Sequence, residues 1–241
     1  MEVPSDVQHQ AMGYDRAATM FAPDGRLLQA EYAEKTVKLG SASIGLVCND
    51  GVVIVADKRV RDKLITQESA TKIHEIDDHV IASSAGILSD ARILVEGAQV
   101  LAQQNRVTYD SAIEPVSIIK YIADKKQMST QYGGLRPYGV ALLVAGVNKG
   151  KCYLYTSDVT GNFYGYHANS IGEHDEQIKE SLRSDYKAGM SIDDGIKFAL
   201  KIFKEILDKN FDLERFEVAY IKKDKLKVER INGEDLKKHS K

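Results

Sequence analysis

Cysteine is scarce in this chain, and its scarcity argues against two kinds of scaffold. The 241 residues include two cysteines, Cys48 and Cys152, which lie far apart and in no metal-ligand spacing. A disulfide framework needs several paired cysteines and an oxidising compartment, so the sequence predicts a protein of the reducing cytoplasm. A chain of this length can bury a sizeable core without disulfides or metals.

Long apolar runs and a surplus of one charge are also missing. No segment approaches the roughly 20 apolar residues that a membrane-spanning helix needs, and residues 1–12 lack the apolar core of a signal peptide. The formal net charge is -2, whereas a non-specific nucleic-acid binder usually carries a basic surplus. We therefore expect a protein that binds neither membranes nor nucleic acids.

Three common functional motifs are absent as well. The segment from Gly146 to Lys151 is one residue short of a phosphate-binding loop, and Cys152 stands where Ser or Thr should follow. The six histidines form no metal-ligand spacing, so we predict no metal ion and no other cofactor. No G-x-S-x-G motif occurs, so that class of hydrolase has no support.

The sequence does contain short β runs and amphipathic helical segments. Apolar periodicity predicts helices at residues 26–38, 89–105, 116–128, 175–186 and 191–210, and a short charged helix after Gly233. Strands are predicted at residues 43–48, 52–56, 72–76, 79–83, 140–147, 152–156, 163–166, 216–221 and 226–231.

The order of these elements predicts the fold class. Hairpin signals such as Asn49-Asp50-Gly51 dominate, and β-α-β alternation is absent. We therefore expect an α+β fold with two antiparallel sheets packed face to face and helices outside each sheet. Residues 1–13 are polar without periodicity and are predicted to form a mobile arm. Residues 14–241 show neither a linker nor an internal repeat, so they are predicted to form one domain.

A family resemblance begins in residues 14–41, which read YDRAATMFAPDGRLLQAEYAEKTVKLGS. This segment resembles the N-terminal signature of proteasome α-type subunits, most closely those of archaeal 20S core particles. Further matching segments follow in the expected order: VADKRV (55–60), TKIHEIDDHV (71–80), SAGILSDARILV (84–95) and QYGGLRPYGVALLVAG (131–146). The resemblance implies the four-layer αββα sandwich of the N-terminal-nucleophile hydrolases, which agrees with the element order.

The resemblance also raises the question of catalysis. Catalytic β subunits use an N-terminal threonine, whose own amine is the base, with an Asp and a Lys beside it. Here Ser41 falls at the nucleophile position, and Asp57 and Lys72 fall at the supporting positions. The Ser41 nitrogen is a peptide amide and no base, so the resemblance implies a non-catalytic subunit of a threonine protease complex whose β subunits perform catalysis.

Two other interpretations stay open at this stage. In the first, processing before Ser41 would create an active N-terminal-nucleophile amidohydrolase. In the second, the chain would be a monomeric cytosolic ligand binder.

The resemblance assigns a regulator-docking pocket between neighbouring α subunits. Lys72, Glu31, Gly86 and Ile87 match its positions, and the C-terminal carboxylate of a regulatory ATPase or activator would bind there. An ammonium group facing a carboxylate in a partly desolvated cleft forms a strong charge-assisted contact. A simpler interpretation makes Lys72 a strand-edge lysine and Glu31 the partner of a helix ion pair.

A gate is the second feature that the resemblance implies. Tyr14, Asp15, Pro23 and Tyr32 match the cluster that holds the N-terminal arm in its open position, and residues 1–13 would be the gate. Two phenols, a carboxylate and a rigid ring suit hydrogen bonding and packing there. The simpler interpretation is a frayed terminus.

A pore loop and a set of partners complete these expectations. Tyr132, Gly133 and Gly134 match the loop that lines the axial pore, although they also suit an ordinary turn. Arg136 is predicted to support this loop through an ion pair. The implied partners are other α subunits in a seven-membered ring, a ring of β subunits, regulators and unfolded protein substrates.

Overall fold

A computed structural model describes residues 5–59, 64–232 and 236–239 of the chain. The described strands are β1 Ser43–Val47, β2 Gly51–Asp57, β3 Ile73–Asp77, β4 Val80–Gly86, β5 Val140–Asn148, β6 Lys151–Ser157, β7 Phe163–Gly165, β8 Ala168–Ile171, β9 Phe216–Lys222 and β10 Val228–Asn232. The described helices are α1 Ser5–Ala11, α2 Leu28–Leu39, α3 Leu88–Tyr109, α4 Pro115–Gln131, α5 Asp175–Asp185, α6 Ile192–Leu207 and α7 Leu236–His239.

The strands pair into two five-stranded antiparallel sheets. The strand order is β10-β9-β2-β1-β8 in the first sheet and β3-β4-β5-β6-β7 in the second. Apolar side chains of β2, β4, β5 and β9 fill the space between the sheets. Helices α5 and α6 cover the outer face of the first sheet, and α3 and α4 cover that of the second. This arrangement confirms the predicted α+β sandwich with its antiparallel sheets.

The central strands are buried on both faces because each faces a sheet on one side and helices on the other. All seven residues of β2 (GVVIVAD) are buried, and so are the first eight of the nine residues of β5. Such strands carry continuous apolar runs instead of an alternating pattern. The turn between β1 and β2 follows the hairpin prediction, with Val47 paired to Val52.

The N-terminal arm contains a helix that the sequence did not indicate. Residues 1–13 are predicted to be a mobile arm, and within them Ser5–Ala11 forms α1; residues 1–4 lie outside the described part of the chain. An isolated helix of seven residues is unstable in water, so contacts with the rest of the chain must supply its stability. Such contacts leave no local sequence pattern.

Strand β8 and helix α7 also bear on the sequence prediction. The sequence did not indicate β8, whose residues Ala168–Ile171 pair with β1; it is a short edge strand with polar Asn169 and Ser170, which lack β propensity. Of the predicted C-terminal helix, Leu236–His239 is helical, and residues 233–235, 240 and 241 lie outside the described residues.

Candidate functional site

Three residues of the predicted nucleophile site meet at one end of the sandwich. Ser41 lies just before β1, Asp57 ends β2 and Lys72 comes just before β3. The Lys72 ammonium donates hydrogen bonds to the hydroxyl and the backbone carbonyl of Ser41. It also donates to the backbone carbonyl of Asp57 at 3.1 Å. Three N–H donors thus meet three acceptors.

The Asp57 carboxylate does not take part in this hydrogen-bonded group. It accepts hydrogen bonds from Arg215 Nη2 at 2.6 Å and Nε at 3.2 Å, and from the Arg59 backbone N–H at 2.9 Å. Lys72 therefore has uncharged oxygen atoms as its hydrogen-bond partners. Burial lowers the pKa of Lys72 to about 7, against the opposing influence of the Asp57 and Glu217 charges.

The chain before Ser41 is held in place from two sides. Helix α2 packs against β4 and β5, and the Thr36 hydroxyl donates to the Gly139 carbonyl at 2.7 Å. A Cβ atom on Gly40 would stand 2.2 Å from the Gly86 nitrogen, so the two backbones touch. The Gly40 carbonyl accepts the Glu173 N–H at 2.7 Å. Ser41 therefore follows a packed helix in an unbroken chain, and its nitrogen is a peptide amide instead of a free amine.

Two spaces lie near this group of residues. A void of about 10 Å³ is lined by Ala42, Asp57, Arg59 and Glu173 among others, which is room for about one water molecule. A larger cleft of about 270 Å³ lies beside α2 and α5, and Gly172 is among its lining residues. A Cβ atom on Gly172 would stand 2.7 Å from the Ser41 carbonyl oxygen, so this cleft lies next to the backbone of Ser41.

The residues assigned to the docking pocket divide into two places. Gly86 and Ile87 lie next to Gly40, and the positive φ of 119° at Gly86, with the Gly139 carbonyl 2.2 Å from a Cβ there, requires glycine. Lys72 is close by but only 6% exposed, so it is no surface lysine. Glu31 lies in the first turn of α2, about 13 Å along the helix axis from Gly40.

The Glu31 carboxylate also has a partner of its own. It pairs with Arg26 Nη1 at 3.2 Å. The four assigned residues thus do not converge on one another within a single chain.

Two of the four residues assigned to the gate are in contact. The Tyr32 hydroxyl donates to the Asp15 carboxylate at 3.3 Å, and the Gln10 amide of α1 donates to Tyr32 at 2.9 Å. The Tyr14 ring lies edge-on to His9, with ring centroids 6.0 Å apart. Pro23 is exposed in the turn before α2.

Sequence reasoning missed Gln10 and His9, because neither residue belongs to a motif. Gln10 contacts a residue 22 positions away. No local pattern could have identified them.

The loop after α4 is supported as the sequence indicated. Tyr132 is exposed and Gly134 adopts a positive φ of 83°. Arg136 forms two hydrogen bonds of 2.7 Å with the buried Asp90 carboxylate, and the Gly139 N–H donates to the same carboxylate at 2.9 Å. Burial alone would raise the pKa of Asp90, but these hydrogen bonds outweigh it and lower the pKa. Asp90 was missed because it lies 46 positions before Arg136.

Comparison with known proteins decides the family. A family model for proteasome subunits matches residues 37–221, and a second model, for the N-terminal signature of A-type proteasome subunits, matches residues 14–35. The chain belongs to the proteasome α-subunit family. This confirms the resemblance that began in residues 14–41.

Archaeal proteasome α subunits are similar to this chain over almost its full length. The proteasome α subunit of Archaeoglobus fulgidus is 42% identical, over 94% of this chain and 92% of its own length. That of Methanosarcina mazei is also 42% identical, with 95% and 92% coverage. That of Pyrococcus horikoshii is 43% identical, with 94% and 86% coverage.

Two further findings concern the described residues of this α-subunit family member. None of the helices within residues 5–59, 64–232 and 236–239 is both long and apolar enough to cross a bilayer. In the same residues, no three His, Cys, Asp or Glu side chains are grouped so that they could hold a metal ion.

Proposed function

We propose that this chain is a non-catalytic proteasome α subunit of the cytoplasm. In this proposal it forms a seven-membered ring, gates the entry of unfolded protein substrates and docks regulators, while partner β subunits perform catalysis. The observation that carries the proposal is the position of Ser41. Its nitrogen lies in an unbroken peptide behind a packed helix, so the nucleophile lacks the amine that it would need as a base.

The surroundings of Ser41 support the same conclusion. Asp57, which would tune the nucleophile electrostatically, is committed to Arg215. Lys72 is hydrogen-bonded to three oxygen atoms that surround it in the folded chain. A void beside Asp57 accommodates about one water molecule. These features suit a purely structural role for this end of the sandwich better than a peptidase site.

An exposed apolar stripe on α3 supports docking of a β subunit. Ile93, Val100 and Val107 are 49%, 56% and 87% exposed, and they recur every seven residues. This spacing places them along one face of the helix, opposite the face that packs on the second sheet. An apolar row of this kind is typical of an interaction surface. We therefore propose that α3 contacts the ring of β subunits.

Regulator docking is supported by the position of Lys72, whose ammonium contacts Ser41, next in the chain to Gly40, which touches the Gly86 backbone. In our proposal, the carboxylate of a C-terminal tail enters beside Gly86 and Ile87 and replaces a carbonyl oxygen as a partner of Lys72. A carboxylate forms the stronger hydrogen bond because it is charged. Glu31 would then belong to the rim of a pocket completed by the neighbouring subunit.

Removal of the Ser41 hydroxyl tests the non-catalytic assignment. We expect Ser41→Ala to leave peptide hydrolysis by the assembled αβ particle unchanged, and the chain expressed alone to form rings without peptidase activity. Intact mass should show that residues before Ser41 are retained. A trimmed chain that begins at Ser41 and cleaves peptides would instead support the amidohydrolase alternative.

Deletion of residues 2–12 tests the gate. We expect this deletion to speed hydrolysis of peptides by the αβ particle in the absence of any regulator, because the arm would no longer obstruct the entrance. The measurement compares initial rates of the deleted and the full-length particle at equal β-subunit concentration. Equal rates would contradict a gating role for the arm.

A further inference from the structure

The helix α1 is docked on the body of the subunit through a histidine. His9 is only 9% exposed, although it lies in the N-terminal arm. Its ring meets the edge of Tyr14 at a centroid distance of 6.0 Å. Its Nδ1 atom is buried without a hydrogen-bond partner and lies 3.7 Å from Oδ2 of Asp24. A nitrogen that would gain a proton on acidification thus faces a carboxylate.

The charges around His9 come from three segments. Asp24, in the turn before α2, also pairs with Arg26 Nε at 2.8 Å, and Arg26 pairs with Glu31 of α2 at 3.2 Å. In the segment after α1, Asp15 accepts the Tyr32 hydroxyl.

Two further cations lie near α1. The Arg16 side chain lies near Gly13, and the Lys35 ammonium of α2 lies 5.2 Å from the centroid of the Tyr32 ring. Of the carboxylates of Asp15, Asp24 and Glu31, that of Asp24 is the one that faces Nδ1 of His9.

We propose that protonation of His9 strengthens the docking of α1 on the subunit, so that acidification favours the docked arm. Histidine is the side chain whose charge changes between about pH 5 and pH 8. A neutral ring has one N–H and no net charge, whereas a protonated ring is a cation whose protonated Nδ1 lies 3.7 Å from the Asp24 carboxylate and is attracted to it. Docking should therefore be strongest at the acidic end of this range and weaken as the pH rises.

The consequence for function rests on the proposed gate. The docked arm brings Gln10 to Tyr32 and keeps Tyr32 on Asp15, and the resemblance assigns the latter two residues to the open position. Acidification would therefore favour an open entrance. His9 acts here as a positioning residue for the arm.

The pH-dependent contact between His9 and Asp24 that docks α1 is called the latch below. Hydrogen exchange of the full-length chain tests it directly. Amide protection in residues 5–13, corrected for the intrinsic pH dependence of exchange, is compared at about pH 5 and about pH 8. We expect protection in the unaltered chain to be about two- to fivefold higher at the acidic pH, the range for a partly exposed ion pair. His9→Gln, which keeps a polar side chain without the titration, should show a ratio near one. The amides of α4 serve as the internal reference.

Two results would overturn the latch. One is an equal pH dependence in the unaltered chain and in His9→Gln, and the other is no pH dependence in the unaltered chain. Asp24→Asn should also bring the ratio near one; retention of the full pH dependence in this variant would exclude Asp24 as the counter-charge.

The peptidase assay separates this inference from the gate itself. In the αβ particle, the ratio of rates for the unaltered chain and His9→Gln cancels the pH profile of the β subunits, and we expect this ratio to rise as the pH falls. If hydrogen exchange shows the latch but the rate ratio does not change with pH, the latch stands and the gate is refuted. A constant ratio together with pH-independent exchange would refute the latch.

Discussion

Replacement of Lys126 by alanine is expected to lower the free energy of unfolding by about 3–5 kcal/mol. The Lys126 side chain is fully buried between the C-terminal half of α4 and the second sheet. Its ammonium donates to the Val140 carbonyl at 2.9 Å, the Ser157 hydroxyl at 2.8 Å and the Asp158 carbonyl at 2.9 Å. Alanine would leave these acceptors without their donor and would create a cavity.

A matched variant, Lys126→Met, separates packing from charge. Methionine fills most of the volume but donates no hydrogen bond, so we expect a smaller loss than with alanine. Denaturant unfolding of the three chains measures the differences. Equal stability of Lys126→Ala and the unaltered chain would contradict the predicted role of this lysine.

The burial of Lys126 also predicts that the stability of the chain depends on pH. Burial lowers the pKa of Lys126 from 10.5 to about 7, so the unfolded state holds the proton more firmly than the folded state. Between these two values the unfolded state binds more protons, and stability therefore rises with pH.

We expect the unaltered chain to gain stability relative to Lys126→Met as the pH rises from about 7 toward about 10. Lys72 titrates in both chains and cancels in the comparison. A difference that stays constant over this range would contradict the prediction.

The second large effect concerns assembly. Val100→Asp, in the middle of the α3 stripe, is expected to weaken association with β subunits by about 2–4 kcal/mol, or roughly 30- to 900-fold. A charge at the centre of an apolar interface would lose its water without gaining a partner. Analytical ultracentrifugation or native mass spectrometry of mixed α and β subunits measures the fraction of αβ particles.

A control variant keeps the assembly experiment specific. Lys197 is an exposed residue of α6, in the helical layer on the opposite side of the sandwich. Lys197→Asp should leave association unchanged, and both variants should unfold at the same denaturant concentration as the unaltered chain. Normal particles with Val100→Asp would exclude this face of α3 as the contact.

Local patterns in the sequence predicted most of the regular structure. The predicted helix at 116–128 is observed at Pro115–Gln131, and Ser191 caps α6 by accepting the Asp194 N–H at 3.1 Å. Turn residues and apolar periodicity act over a few positions, so a single sequence contains this information. Motifs quoted from residues 14–146 were likewise sufficient to indicate the family.

Long-range partners were beyond the reach of the sequence. It placed Ser41, Asp57 and Lys72 in one site, but it could not show that Asp57 pairs with Arg215, 158 positions away. It indicated that Arg136 needs an ion pair, but not that Asp90 supplies it. The burial of Lys126 within an amphipathic helix was equally invisible.

By itself, then, the sequence determined the element order, the antiparallel sheets and membership of a family, because these depend on the spacing of neighbouring residues. Only the tertiary structure decided which charges meet, how α1 is held and which groups surround Ser41. Those features depend on distances between residues that are far apart in the chain, and the packing of the two sheets with α2 sets those distances.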